Sequence, residues 1–135
     1  MSPNQEQATE KKEKGKFMPK VPVQLDPPKD AWFTREELSQ YDGVKSDKIY
    51  VGIKGTVFDV SKNTKSYGPN AGYSKLAGKD ASKALGKTSL KDEDVDPATC
   101  WDYSDLSEKH LKALDDWYTF FENRYNIVGK VIDHR

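Results

Sequence analysis

A long amphipathic segment near the C-terminus constrains the fold more than any other part of this chain. Between residues 108 and 124 apolar side chains recur at alternating steps of three and four, the spacing of one helix face: Leu111, Leu114, Tyr118, Phe121 and Tyr125. Trp117 and Phe120 widen this face, and Ser107 is placed to cap its start. The pattern predicts a helix over 108–124, followed by an edge strand within 128–132.

Two shorter elements are predicted upstream. Thr34 and Glu37 have the spacing of a capping box, in which each side chain bonds the other residue's amide, and they predict a helix over 35–41. Apolar residues then alternate from 49 to 53 and resume at 57–60. The Lys54-Gly55 pair between these runs predicts a β-hairpin.

The stretch between the hairpin and the long helix is mostly irregular by composition. Residues 61–74 are predicted to form a loop, and residues 91–105 are acidic and irregular. Between them, Asp80 is suited to cap a short helix that runs through Leu85, and Gly86 is suited to end it.

The chain also divides by composition near residue 31. Residues 1–31 are polar and include four prolines within positions 19–28, and proline opposes regular structure. Most aromatic residues follow this arm. We therefore expect a disordered arm over 1–31 and a single domain over 32–135.

Charge, cysteine usage and hydropathy exclude several classes of function. Lys plus Arg and Asp plus Glu number 22 each, so no net basic field favours nucleic acid. Cys100 is the single cysteine, which excludes an intrachain disulfide. No stretch approaches the ~20 apolar residues of a membrane span, and no apolar signal segment opens the chain. We expect a cytoplasmic protein without a membrane span.

Histidine-based and acid–base sites are disfavoured. His110 and His134 lie at the start of the long helix and beside the C-terminus, so they do not supply the opposed imidazoles of a bis-histidine haem site or a zinc cluster. The acidic residues at 92–96 and 115–116 are typical of solvated surface. No phosphate loop or dinucleotide motif occurs. We expect no catalytic residues.

The run YGPNAGYSKLAGKDASKAL, from Tyr67 to Leu85, carries the main functional signal. It places Tyr67 and Tyr73 six residues apart on a loop with glycine and proline, and lysines recur every fourth residue at 75, 79 and 83. A phenolate can ligate ferric haem iron, and lysines can neutralise propionates. The same tyrosines could also pack on a core and hydrogen-bond through their hydroxyls, which is a purely structural role.

Three segments together carry a family resemblance. They are IKGTVFDVS (53–61), the tyrosine run (67–85) and DWYTFFENRYNIVGKV (116–131). With them the chain resembles the membrane-associated progesterone receptor family of cytochrome b5-like domains, whose relatives include fungal damage-resistance proteins. The resemblance implies an α+β, cytochrome b5-like fold, with a small mixed sheet and a helical pocket for haem b.

The resemblance also implies roles for individual residues. Tyr73 matches the axial ligand of the haem iron, and Tyr67 is expected to hydrogen-bond the ligating oxygen. Asp80 is expected to cap the neighbouring helix, and the pair Arg124-Tyr125 to lie near the haem edge. Lysines are weaker candidates as propionate neighbours, with Lys79 the foremost, followed by Lys75 and Lys83.

Some positions depart from the family pattern. Gly72 stands where proline usually precedes the ligand, and glycine leaves the loop less constrained. Leu76 replaces an aromatic that would stack on haem, and Lys83 replaces an arginine. These changes predict lower haem affinity than is usual for the family.

The resemblance implies a haem-binding protein that supports sterol-modifying haem-thiolate monooxygenases or haem trafficking. It is not expected to be an enzyme itself. Peripheral location at the endoplasmic reticulum and a haem-mediated homodimer are further expectations. Two alternatives stay open: a haem-free steroid- or lipid-binding or protein-interaction module, and an electron carrier. The electron carrier ranks last, because a tyrosinate ligand favours ferric iron.

Overall fold

The computed structural model describes residue 25 and residues 27–132. Most of the arm predicted to be disordered, and His134, lie outside the described residues. In chain order the helices and strands are β1 (Ala31–Phe33), α1 (Arg35–Leu38), β2 (Tyr50–Ile53), β3 (Thr56–Asp59), α2 (Thr64–Tyr67), β4 (Lys79–Asp80), α3 (Ser82–Lys87), α4 (Glu108–Glu122) and β5 (Asn126–Val131). Short 3-10 turns occupy Ser74–Leu76 and Asp92–Asp94.

The strands form one mixed sheet in the order β1-β5-β3-β2-β4. β1 pairs with β5 and β2 with β4 in parallel, whereas β2 with β3 and β3 with β5 are antiparallel. The predicted α+β class with a small mixed sheet is confirmed. The predicted hairpin is also confirmed, and its turn residues Lys54 and Gly55 both have positive φ, at 52° and 81°.

The last strand differs from the prediction. β5 lies between β1 and β3 and is therefore not an edge strand. The reason is that Ala31–Phe33 adds in parallel beside it, with Ala31 in register with Gly129. A Cβ at Gly129 would collide with the backbone of Ala31, so glycine at this position allows the two strands to approach.

The sheet has a separate apolar cluster on each face. Ile49, Val51, Ile53 and Phe58 contribute to the larger cluster, whereas Tyr50 and Val57 contribute to the smaller one. This split follows from the period-2 alternation of side chains along a strand. The larger cluster is completed by buried side chains of α3 and α4: Ala84, Leu85, Leu114, Trp117, Phe120 and Phe121.

The long helix is close to its predicted extent, with one error in its buried face. Ser107 caps α4, because its Oγ accepts from the His110 amide at 3.2 Å. Leu111 was predicted to belong to the buried face but is 37% exposed. The buried face is instead centred on Trp117, which is fully buried and packs edge-on against Phe120 and Phe121.

Three local predictions are corrected by the structure. The capping box at Thr34 is present, but α1 ends at Leu38 rather than at residue 41. The segment 61–74, predicted as loop, contains α2. Asp80 belongs to β4 and is not the N-cap of α3, which is Ala81.

Gly86 was predicted to end the short helix, but it lies inside α3. A Cβ there would meet Leu106 Cδ1 at 2.6 Å and the His110 carbonyl at 3.1 Å. Glycine is therefore used for close packing between α3 and the start of α4, and the helix ends at Thr88, which has a left-handed backbone.

No helix within the described part of the chain combines the length and apolar character needed to cross a bilayer.

Candidate functional site

Two tyrosines of the glycine-rich loop lie side by side. Tyr67 ends α2 and is fully buried, whereas Tyr73 is half-buried just before the 3-10 turn. Their ring centroids are 6.1 Å apart, with a 41° angle between the planes. The loop closes because the Tyr73 amide donates to the Ser66 carbonyl at 2.8 Å. The predicted ligand Tyr73 and its predicted hydrogen-bonding neighbour Tyr67 are thus brought together by local chain geometry.

The end of α4 adds further rings to this pair. Tyr67 lies 5.9 Å from Phe121 and 6.4 Å from Tyr125, both in edge-on arrangements. Phe121 and Tyr125 are themselves 5.0 Å apart. We call Tyr67, Tyr73, Phe121 and Tyr125 the tyrosine cluster. It joins two segments that are more than forty positions apart in the chain.

Asn63 connects the two halves of the cluster. Its side-chain oxygen accepts from the Ser66 amide at 3.3 Å and caps α2, the helix that ends at Tyr67. Its side-chain nitrogen donates to the Tyr125 hydroxyl at 2.9 Å. The sequence prediction missed this residue. An asparagine three positions before Ser66 is an N-cap signal that could have revealed α2.

Of the basic residues predicted near haem, Arg124 lies beside the tyrosine cluster, whereas Lys75 and Lys79 contact another segment. Arg124 lies with its guanidinium carbon 4.3 Å from the ring centroid of Phe120, beside the cluster. Lys79 donates from Nζ to the Val95 carbonyl at 2.9 Å, and Lys75 reaches the Leu90 carbonyl and Asp92. The lysine contacts are therefore with residues 90–95 rather than with the tyrosines.

Asp80 is a buried structural carboxylate. One oxygen accepts from the Gly55 amide at 2.8 Å, and the other accepts from the amide and hydroxyl of Ser82 at 3.1 and 2.6 Å. Ser82 Oγ in turn accepts from the Lys54 amide at 2.7 Å. Asp80 thus links the hairpin turn to Ser82, the first residue of α3. The N-cap of α3 is Ala81, one residue after the predicted capping residue Asp80.

Other metal-binding side chains are poorly suited to a cofactor. Burial raises the pKa of the Cys100 thiol to about 12, and its sulfur donates to the Asp80 carbonyl at 3.1 Å. His110 belongs to the first turn of α4. Within the described residues no three His, Cys, Asp or Glu side chains cluster as metal ligands.

The donor chemistry of the tyrosine cluster fits ferric haem, because phenolate oxygen is a hard anionic ligand. Tyr73 is partly exposed and stands next to Gly72, where an added Cβ would meet nothing within 4 Å. Tyr67, in contact with it, is buried. Leu76, expected near the haem face, is fully buried in the larger apolar cluster.

The family model described as "Cytochrome b5-like Heme/Steroid binding domain" matches residues 34–127. "Probable steroid-binding protein 3" of Arabidopsis thaliana is 50% identical over 74% of this chain and 97% of its own length. "Cytochrome P450 regulator dap1" of Schizosaccharomyces pombe is 41% identical over 82% of this chain and 69% of its own length.

A solved structure shows the same fold. It is a hypothetical protein from Arabidopsis thaliana described as having a cytochrome b5 like fold, and it superposes with a TM-score of 0.67 at 49% identity. The match covers 76% of this chain and 92% of the other. The predicted cytochrome b5-like fold is confirmed.

Proposed function

The chain belongs to the family of cytochrome b5-like heme/steroid-binding domains, and from that premise we propose that it binds ferric haem b through the Tyr73 phenolate. One observation carries the proposal: Tyr73 and Tyr67 lie 6.1 Å apart, with Tyr73 partly open and Tyr67 buried behind it. Support comes from this pairing, because it brings a second tyrosine, a hydrogen-bond donor, close to a tyrosine that could ligate iron. Bound ferric iron would supply the Lewis acid that keeps the Tyr73 phenol deprotonated.

Neighbouring residues have supporting roles in this proposal. With haem bound, the Tyr67 hydroxyl would donate to the ligating oxygen, and such outer contacts orient a ligand. Tyr125 is held by Asn63, and Arg124 offers a cation beside Phe120 for an anionic edge of the ligand. Asp80 supports the fold, because its carboxylate is bonded to the hairpin turn and α3. Lys79 remains a weak candidate for the propionates.

In the cell the protein would support a haem-thiolate monooxygenase that modifies sterols, or deliver haem, and would have no catalytic turnover of its own. Support comes from the fission-yeast relative, which is named a cytochrome P450 regulator. Such a role would require the protein to act at the surface of the endoplasmic reticulum. Haem left exposed on one face would also favour a haem-mediated homodimer.

Steroid binding is the second candidate, and the name of the Arabidopsis relative favours it. In that case the tyrosine cluster would provide ring surfaces and hydroxyls for a flat apolar ligand. A role as an electron carrier ranks below both, because a tyrosinate ligand stabilises ferric iron.

Absorbance titration of the haem-free protein with ferric haem tests the first candidate. We expect a high-spin, tyrosinate-type spectrum for the wild type. Tyr73→Phe should lose most of that spectrum, whereas Tyr67→Phe should retain a weaker and shifted one. Tyr118→Phe is the matched control, because the Tyr118 hydroxyl lies 3.3 Å from Thr56 Oγ1 and its ring packs against Phe58, which is not a member of the cluster.

Two results would redirect the assignment. Unchanged haem binding by Tyr73→Phe would remove Tyr73 as the ligand. Absence of haem uptake by the wild type, combined with saturable progesterone binding, would favour the steroid candidate.

A further inference from the structure

The loop that carries the two tyrosines reverses direction at a residue that is not glycine. Asn70 lies between the tyrosines and has φ 68°, which is the left-handed region. The glycines of the same loop do not adopt it: Gly68 has φ −72°, and Gly72 is not among the glycines with positive φ in the described part of the chain. The left-handed step between residues 67 and 73 is therefore made by Asn70.

Residues 68–71 have the hydrogen bond and the φ value of a type II turn. The Ala71 amide donates to the Gly68 carbonyl at 3.0 Å, which closes four residues into a turn. Pro69 occupies the second position of the turn, which its fixed φ suits, and Asn70 occupies the third, where a type II turn requires positive φ. Asparagine accepts this conformation more readily than most residues that carry a side chain.

The turn is connected to the fold on both sides. After it, the Tyr73 amide donates to the Ser66 carbonyl at 2.8 Å. Before it, a Cβ added to Gly43 would lie 3.4 Å from Pro69 Cδ, so the loop that follows α1 packs against the proline. The Asn70 side chain is exposed. What Asn70 supplies is therefore a backbone conformation at the step that leads to Tyr73.

We propose that Asn70 is a positioning residue for the haem ligand: its left-handed backbone holds the turn that places the Tyr73 ring 6.1 Å from that of Tyr67. The inference rests on the proposed haem function. Packing does not hold the segment between the turn and Tyr73, because a Cβ added to Gly72 would meet nothing within 4 Å. The turn must therefore fix the direction in which the chain reaches Tyr73.

A positioning role and a merely structural role predict different results. Pro69 and Asn70 are exposed, and the surroundings of Gly72 are open, so a strained loop can relax without disturbing the core. In the haem-free protein a residue that opposes left-handed backbone would release its strain by moving Tyr73, and haem binding would have to restore the loop. A structural role would lower the stability of the fold and leave haem affinity unchanged.

Hydrogen exchange of the haem-free protein, followed by nuclear magnetic resonance, tests the turn without any ligand. In Asn70→Val the Tyr73 amide should exchange about tenfold faster than in the wild type, because a β-branched residue disfavours left-handed backbone. Asn70→Gly should keep the exchange rate close to the wild-type value, because glycine adopts this backbone freely.

Titration with ferric haem tests the link to the ligand. Asn70→Val should bind haem about tenfold more weakly, with a reduced tyrosinate-type spectrum, and Asn70→Gly should restore both. Lys54→Val is the matched control, because it places valine in the same backbone region, at φ 52° in the hairpin turn outside the tyrosine cluster. It should lower the melting temperature but leave Tyr73 exchange and haem affinity unchanged.

The outcomes separate this inference from the proposed haem function. Unchanged Tyr73 exchange or unchanged haem affinity in Asn70→Val would overturn the positioning role while haem binding itself stands. Equal weakening by Asn70→Gly, or by Lys54→Val, would also overturn it, because the effect would then not depend on the turn. If the wild type took up no haem, the proposed function would fail, whereas the exchange rates would still decide whether Asn70 holds Tyr73 in place.

Discussion

Residues 67–80 contribute to both the tyrosine cluster and a pocket of about 240 Å³ between α1, β4 and the segment 97–101, yet the two regions differ in chemistry. We call the second region the α1–β4 pocket. The cluster consists of rings and hydroxyls packed against α4, whereas the α1–β4 pocket combines side chains of both charges with one indole, that of Trp101. Alternation along β4 contributes to this contrast, because Asp80 faces the hairpin turn and Lys79 faces residue 95. One short segment can thus serve two surfaces, because its successive side chains point in opposite directions.

The sharpest test of that separation measures both regions on one variant. Tyr73→Phe should reduce ferric-haem affinity by about a hundredfold or more, since loss of a ligand costs at least as much as loss of an outer contact. It should leave unchanged the nuclear magnetic resonance signal of the Trp101 indole, which lines the α1–β4 pocket. Absorbance titration with ferric haem and the indole signal of the same preparation measure both effects. If Tyr73→Phe also shifted the Trp101 signal, the two regions would not be separate.

Two glycines of the tyrosine loop provide a contrast in stability. Gly68→Ala would bring its Cβ to 2.6 Å from the Thr64 carbonyl, and such overpacking costs about 1–3 kcal/mol. Gly72→Ala meets nothing within 4 Å and should gain about 0.4–1 kcal/mol by restricting the unfolded chain. Urea unfolding measures both changes. Similar destabilisation by both substitutions would contradict the open surroundings of Gly72.

Substitution of Asn63 separates its two hydrogen bonds. Asn63→Asp keeps an N-cap acceptor for α2 but loses the donor to Tyr125, whereas Asn63→Ala loses both. Both variants should weaken haem binding, by up to about tenfold, but the alanine variant alone should lose about 1 kcal/mol of stability. Because the Tyr125 hydroxyl can itself donate to a carboxylate, a normal haem spectrum in Asn63→Asp would show that haem binding does not depend on the Asn63 amide donor.

The smallest expected effect concerns the pH dependence of Asp42, which lines the α1–β4 pocket. Burial acts to raise the pKa of Asp42, but hydrogen bonds from Lys45 and Val44 outweigh it and lower the pKa from 3.8 to about 2. Because the folded-state value is the lower one, this group stabilises the fold above about pH 4. That contribution disappears as the pH falls through 2.

Urea midpoints at neutral and acid pH compare the wild type with Asp42→Asn. The difference should be below about 1 kcal/mol at neutral pH, because the partner Lys45 side chain is 50% exposed. It should vanish near pH 2. A difference that grows as the pH falls would contradict this assignment.

The sequence predicted much of the framework because several signals were local. The capping box at Thr34, the hairpin turn at Lys54-Gly55 and the Ser107 cap each depend on residues a few positions apart. The prediction that Leu111 belongs to the buried face was wrong, because burial depends on which elements cover a helix and not on spacing alone. The prediction that Gly86 ends the short helix was wrong, because this glycine allows close packing against Leu106, twenty residues away.

The candidate site likewise combines a local contact that could be predicted with long-range contacts that could not. The proximity of Tyr67 and Tyr73 follows from a short loop closed by a backbone hydrogen bond, and the family resemblance had implied that the two residues lie together. The Asn63–Tyr125 bond joins residues 62 positions apart, and it depends on how α4 docks against α2. The place of Lys79 likewise required the packing of the segment around Val95.

The sequence by itself determined the family, the order of most elements and the pairing of two tyrosines on one loop, because motifs and turns act over short distances. Only the tertiary structure decided that the last strand is interior, that Asp80 joins the hairpin to a helix, and that Lys75 and Lys79 contact residues 90–95. These outcomes depend on burial and on contacts between distant segments, which no local pattern specifies.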